Sequence, residues 1–128
     1  MKKNLQLSDA EWELMKVLWE VAPASVNTIA ENTHKTARWH PKTVRTMLLR
    51  LLKKQIVEQC IVDGVQHFQP RYSREECASF ATESFIQRVF DGAVTPMVAY
   101  FTEKRGLTDA EKAVLKKLLS DTDNQSTE

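Results

Sequence analysis

The chain has 128 residues, 42% of them hydrophobic and 27% charged, with a formal net charge of +1. These values fit an ordinary globular chain of one or two small domains. They hold no apolar run near the roughly 20 residues of a membrane helix, and no apolar stretch follows Met1-Lys2-Lys3 before Ser8, Asp9 and Glu11, so neither a span nor a signal peptide is expected and the chain is assigned to the cytoplasm.

The first predicted element opens at Leu7-Ser8-Asp9-Ala10-Glu11. Ser8 can cap the amide three residues on, Glu11 can return the bond, and Leu7 can staple against Trp12. Trp12, Met15, Leu18 and Trp19 recur at helical spacing, with Leu14 and Val17 widening the stripe, until Val21-Ala22-Pro23 ends the helix. Ser25 begins a shorter helix with Val26, Ile29 and Ala30 on its apolar side. The three tryptophans are expected to pack in or on the core rather than to stack on bases.

Between Glu31 and Glu58 there is no acidic residue, yet the interval holds Lys35, Arg38, Lys42, Arg45, Arg50, Lys53 and Lys54. Pro41 is placed to open a third helix, where its fixed φ and missing N–H do no harm. Val44, Met47, Leu48, Leu51 and Leu52 give that helix a buried stripe, leaving Lys42, Thr43, Arg45, Thr46, Arg50 and Lys53 outward. A basic helix with Thr and Arg on its exposed face suits a DNA major groove. Arginine forks onto guanine, threonine bonds base edges or touches a thymine methyl, and lysine neutralises phosphate. Lys53, Lys54, Arg71, Lys2 and Lys3 are expected to clamp phosphates or to be plain surface charges.

The period then changes from helical to alternating. Val57–Val62 and Val65–Gln69 read as strands joined by Asp63-Gly64, a strong two-residue hairpin signal. Three helices followed by a β-hairpin is the order of a winged helix-turn-helix, with the basic third helix as recognition element. The wing tip is Asp63, and no basic residue lies between Lys54 and Arg71, so the wing is expected to contribute less than the helix.

A second capping box, Ser73 to Glu76, starts a helix carrying Cys77, Phe80, Ala81, Phe85, Ile86, Val89 and Phe90 and ending near Gly92. Thr95-Pro96 begins a short segment with Met97, Val98, Tyr100 and Phe101, closed by Gly106. Thr108 to Glu111 starts a last helix with Val114, Leu115, Leu118 and Leu119, and a polar tail follows. The expected organisation is mainly α: a winged helix-turn-helix DNA-binding domain over residues 1–72, a small helical dimerisation domain over 73–120 and a disordered tail over 121–128. Residues 1–72 carry a net charge of +4 and residues 73–128 a net of −3, which suits a nucleic-acid-facing first part and a second part with another task. The second part is too short to bury its large apolar groups by itself; they can pack on the winged helix of a monomer or on a second copy, and the homodimer is the favoured expectation, with Phe85, Ile86, Val89, Phe90, Met97, Phe101, Leu115, Leu118 and Leu119 at its interface.

Other chemistries find little support. Cys60 and Cys77 fall in different elements and outside any Cys-x-x-Cys or Cys/His cluster, and His34 and His67 have no partner suggesting a metal, so no metal and no cofactor are expected. Ser, His and Asp are scattered without a nucleophile elbow, and three glycines are too few to shape a phosphate loop, which argues against an enzyme. The competing readings are a winged-helix protein-interaction module and a regulator relieved by a small ligand held among Phe90, Met97, Tyr100 and Phe101.

Leu7-Ser-Asp-Ala-Glu-Trp-Glu-Leu-Met15, Leu18-Trp19, Trp39-His-Pro-Lys-Thr-Val-Arg-Thr46 and Arg50-Leu51 with Lys53-Lys54 resemble the penicillinase and methicillin-resistance repressors, the BlaI/MecI family. Phe85 to Leu107, with Met97-Val-Ala-Tyr-Phe101 and Glu103-Lys104, is similar to that family's dimerisation region. The resemblance implies a homodimeric, antibiotic-resistance repressor that occupies inverted-repeat operator DNA with TACA/TGTA cores. It implies base reading by Lys42, Thr43, Arg45, Thr46 and Arg50. It also implies release by a membrane-bound sensor metalloprotease that cuts at Tyr100-Phe101. Tyr100 stands where the family has Asn or a small residue, and His40 where a Ser caps the recognition helix. The Cys-x-Cys motifs of the copper-responsive branch are absent.

Overall fold

The computed structural model describes residues 4–33 and 39–125, with side chains through residue 121. Lys2, Lys3, His34, Lys35, Arg38 and the last three residues of the expected tail lie outside the described residues. The chain divides into two compact units, Met1–Ser84 and Phe85–Glu128.

The first unit is a winged helix-turn-helix. Helix α1 (Asp9–Val21) starts on the capping box seen in the sequence: the Glu11 amide donates to Ser8 Oγ at 3.2 Å and the Ser8 amide to Glu11 Oε1 at 2.8 Å. Its stripe of Leu14, Met15 and Leu18 is fully buried. Trp12 and Trp19 pack against that core with ring centroids 5.9 Å apart. The Trp19 indole N–H reaches forward to the Tyr72 carbonyl at 3.0 Å, pinning the end of the hairpin to α1. Trp39 packs on the same core, so the three tryptophans serve packing.

Ser25 caps α2 (Val26–Asn32). The link from α1 to α2 does more than turn. Ala24 exchanges both backbone hydrogen bonds with Phe68, at 3.1 and 2.8 Å, and so lies as a one-residue strand beside the hairpin. Nothing in the hydrophobic period marks a single paired residue, so the sequence pattern predicts only a helix stop at this link.

Helix α3 (Pro41–Lys53) buries Val44, Met47, Leu48 and Leu51. It ends with Gln55 in the left-handed region (φ 63), its amide on the Leu52 carbonyl and the Ile56 amide on Leu51, a Schellman closure that usually carries glycine. The chain then enters the hairpin of β1 (Val57–Val62) and β2 (Val65–Pro70), antiparallel in the register Val57↔Pro70 to Val62↔Val65. Asp63 (φ 51) and Gly64 (φ 77) both take positive φ, as a type I′ turn demands. Val57 and Phe68 close the core from the hairpin side.

Helix α4 (Arg74–Phe90) opens on the second capping box, Ser73 with Glu76. Cys77 is fully buried in the core of the first unit and Phe80 packs against it. The first turns of α4 thus serve the winged unit, and the division between units falls inside this helix, whereas the sequence pattern puts a boundary at Tyr72–Ser73. Burial pushes the Cys77 thiol up, with the nearby Glu76 charge adding to the effect, which leaves it a small apolar packing group.

The second unit holds the end of α4, α5 (Val94–Tyr100), a π-helical turn over Phe101–Arg105, and α6 (Asp109–Gln125). Thr108 and Glu111 form the third capping box. Helix α6 runs to Gln125, further than the polar composition after Leu119 suggests. Among the described residues of this unit, Ile86 is the one buried hydrophobic side chain.

Candidate nucleic-acid interface

The core stripe of α3 fixes which residues face away from the protein. Lys42, Arg45, Thr46, Leu49 and Lys53 follow one another at helical spacing on the exposed side, flanked by Thr43 and Arg50. The structure thus brings together on one face the residues expected to read bases. Leu49 was not among them; it is 46% exposed, and an apolar residue one turn beyond Arg45 and Thr46 was the available signal.

Local chemistry orients this face. His40 caps the helix through Nδ1, which accepts the Lys42 amide at 3.0 Å, while its carbonyl accepts the Thr43 and Val44 amides at 2.9 and 3.1 Å. The imidazole thus serves as the cap at the start of α3. The Thr46 hydroxyl donates back to the Lys42 carbonyl at 3.0 Å, leaving a lone pair and its methyl outward. Arg45 leans toward the hairpin, where Nη1 donates to Gln66 Oε1 at 3.5 Å. With the helix N-terminus adding its positive dipole end, this face attracts phosphate.

Lys54 does not belong to that face. Its ammonium bonds both carboxylate oxygens of the buried Glu11, at 2.9 and 3.1 Å, and the Gln6 carbonyl at 3.4 Å. The helix ends at Lys53, so the next residue points back toward the start of α1. Its charge is answered by an acidic residue more than forty positions earlier, which counting charges inside the window could not detect. Lys53 remains exposed on the outer side.

The hairpin is neutral to acidic at its tip. Asp63 is exposed, Ile61 is 69% exposed, and the nearest described basic residue after the turn is Arg71, whose guanidinium lies 6.0 Å from the Tyr72 ring centre. Such a hairpin repels phosphate weakly rather than gripping it. Asp63→Asn should therefore tighten binding to random duplex DNA at low salt, by severalfold at most, and have no effect at high salt. Unchanged or weaker binding at low salt in a mobility-shift titration would show that the tip does not approach the backbone.

Comparison with known proteins agrees with this arrangement. The model of the penicillinase repressor family matches residues 7–121. The chain is 34% identical to the penicillinase repressor of Bacillus licheniformis, over the full length of both chains. It is 30% identical to the methicillin resistance regulatory protein MecI of Mammaliicoccus sciuri, covering 92% of this chain and 96% of MecI. The chain belongs to the penicillinase repressor family. Among solved structures, the fold is similar to monomeric Bacillus licheniformis BlaI in complex with the blaP half-operator. That match has a TM-score of 0.50 and 37% identity, over 59% of this chain and 90% of that one. The DNA-binding domain of BlaI matches equally well, with a TM-score of 0.50 and 39% identity over 59% of this chain and 93% of that one. Family members are transcriptional repressors rather than enzymes.

In the second unit of this family member, Met97, Phe101, Leu107, Val114, Leu115 and Leu118 line an apolar groove of about 550 Å³. Phe85, Val89, Leu118 and Leu119 are exposed, and Phe90 is half-buried with its ring 5.8 Å from that of Phe85. Ile86 is buried within its own chain, which removes it from the exposed set. Val94, Val98, Tyr100 and Val114 are further exposed apolar residues of this unit. The Tyr100–Phe101 peptide joins α5 to the π-helical turn, with Tyr100 exposed and Phe101 half-buried beneath Arg105. No helix among the described residues is long and apolar enough to cross a membrane, and no group of His, Cys, Asp and Glu among them could hold a metal.

Proposed function

We propose that the chain is a homodimeric repressor that holds an inverted-repeat operator in the cytoplasm, reading it with Lys42, Thr43, Arg45, Thr46 and Arg50. The observation that carries this reading is the exposed face of α3, where cations and threonines stand together over a fully buried stripe. Lys53 serves a phosphate and His40 holds the helix start. The relative solved on a half-operator supports the same use of the winged unit. Phe85, Val89, Phe90, Met97, Phe101, Leu115, Leu118 and Leu119 supply the contact between copies. The winged and dimerisation domains, expected at residues 1–72 and 73–120, then meet within α4, whose first turns belong to the winged core and whose end belongs to the second unit.

Release follows from cutting the second unit at Tyr100–Phe101 by a membrane-bound sensor metalloprotease, which would separate α5 from α6. The groove beside Phe101 favours a second reading of release, in which a small apolar ligand enters between α5 and α6. Incubating the DNA-bound chain with a membrane-bound metalloprotease, and separately with small apolar compounds, separates the two: cleavage with release supports the first and release of the intact chain supports the second.

The test of the DNA assignment is a mobility shift on sequences enriched from random duplexes, at two salt concentrations. Binding should weaken steeply with salt. Arg45→Ala should lose about 1–3 kcal/mol on the enriched sequence and discriminate less at one base pair, with a smaller loss on random DNA. Salt-insensitive or absent binding would favour a protein-interaction module instead.

A further inference from the structure

The hairpin lacks the charge to grip DNA, yet it touches the recognition helix at one informative place. Arg45 Nη1 donates to Gln66 Oε1, and Gln66 Nε2 in turn donates to Gln59 Oε1. In the antiparallel register Gln59 faces Phe68 and Gln66 faces Ile61, so the two glutamines are diagonal neighbours on a single face of the sheet. Phe68 lies on that face, fully buried against the core.

The order of bonds fixes the amide orientation. A guanidinium only donates, so Gln66 turns its oxygen, not its NH2, toward Arg45, and its NH2 is then left to meet Gln59 Oε1. With the opposite orientation two donors would confront each other. Arg45 is exposed and carries a long side chain with many rotamers, and one acceptor on the hairpin restricts them. Nη1 is thereby occupied, while Nε and Nη2 remain as a two-pronged donor able to meet O6 and N7 of a guanine.

We propose that Gln66, oriented by Gln59, is a positioning residue for Arg45, so that the wing contributes to sequence discrimination by aiming a base-reading side chain. This rests on Arg45 being a base reader. It assigns the wing a role that its charge does not suggest, and it makes guanine the base that Arg45 prefers.

The experiment uses the full chain and the duplex sequence enriched from a random library, with every single-base variant of that sequence as competitor. Gln66→Leu and Gln59→Leu should each flatten the preference at the base pair that Arg45→Ala flattens, by about fivefold, the size expected for one hydrogen bond. Their salt dependence should match the parent. Gln66→Glu keeps the acceptor, so it should retain the base preference while binding all sequences more weakly. The Arg45→Ala/Gln66→Leu double variant should discriminate no worse than Arg45→Ala. Retained discrimination in Gln66→Leu, or losses that add in the double variant, would overturn the positioning role while leaving Arg45 as a reader. An Arg45→Ala variant with unaltered base preferences would overturn the reading itself and the relay with it.

Discussion

Leu118→Glu should separate the proposed dimer into monomers and weaken binding to the full operator by about two orders of magnitude, with binding to a half-site nearly unchanged. The second unit cannot satisfy its own apolar surface. Val114, Leu118 and Leu119 are 59%, 57% and 60% exposed, and Ile86 is the one buried hydrophobic among the described residues of Phe85–Glu128. Large apolar side chains exposed together in this way mark an interaction surface. A glutamate at position 118 is harmless on the isolated chain, where the site faces water, and costly in a dimer, where an unpaired carboxylate is desolvated. The winged unit should fold as before, because Leu118 belongs to the other compact unit. The loss in affinity follows from effective concentration: once one recognition helix is seated, a joined second helix binds as if at millimolar concentration, worth about 10²–10⁴ in affinity. Sedimentation velocity and paired titrations on full and half operators measure both quantities. A parent chain that stays monomeric at every concentration, or a Leu118→Glu chain that binds the full operator like the parent, would refute the dimer.

The elements most legible in the sequence were those in which local chemistry and hydrophobic period agree. The three capping boxes at Ser8, Ser73 and Thr108 all formed, because each depends on residues three apart. The Asp63-Gly64 turn and the buried stripe of α3 formed for the same reason. What escaped depends on residues distant in sequence. Ala24 pairs with Phe68 through backbone atoms alone, which no side-chain pattern records. Gln66 meets Arg45 only after the hairpin has folded onto α3, and its polar side chain on an otherwise alternating strand reads as ordinary surface. Leu49 sits on the exposed side of a helix whose stripe already looked complete without it. The acid-free window stands out in the sequence as a charge anomaly, but the approach of Glu11 to Lys54 spans more than forty positions and exists only in the fold.

That long-range pair separates two adjacent lysines by experiment. Lys54→Met should destabilise the fold by about 2–3 kcal/mol and leave the salt dependence of DNA binding unchanged. Lys53→Met should do the reverse, with stability within about 0.5 kcal/mol of the parent and a salt slope smaller by about one. The reason is the environment of Glu11, whose side chain is 2% exposed against 38% for Lys54. Burial alone would raise the Glu11 carboxyl. The Ser8 amide and the Lys54 ammonium more than offset burial and hold it below the usual carboxylate value. A depressed folded value means that ionised Glu11 contributes stability in full above the ordinary carboxylate range, and that this contribution is lost as pH falls through the depressed value. Removing Lys54 lets burial push the carboxyl back up, so the gap between parent and Lys54→Met should be widest at neutral pH and narrow in acid. Denaturant titrations at neutral pH and below the carboxylate range test the sign. A gap that grows in acid would show that the ammonium stabilises something other than the Glu11 carboxylate. A Lys54→Met chain with a lower salt slope and parent stability would return Lys54 to the DNA-facing set.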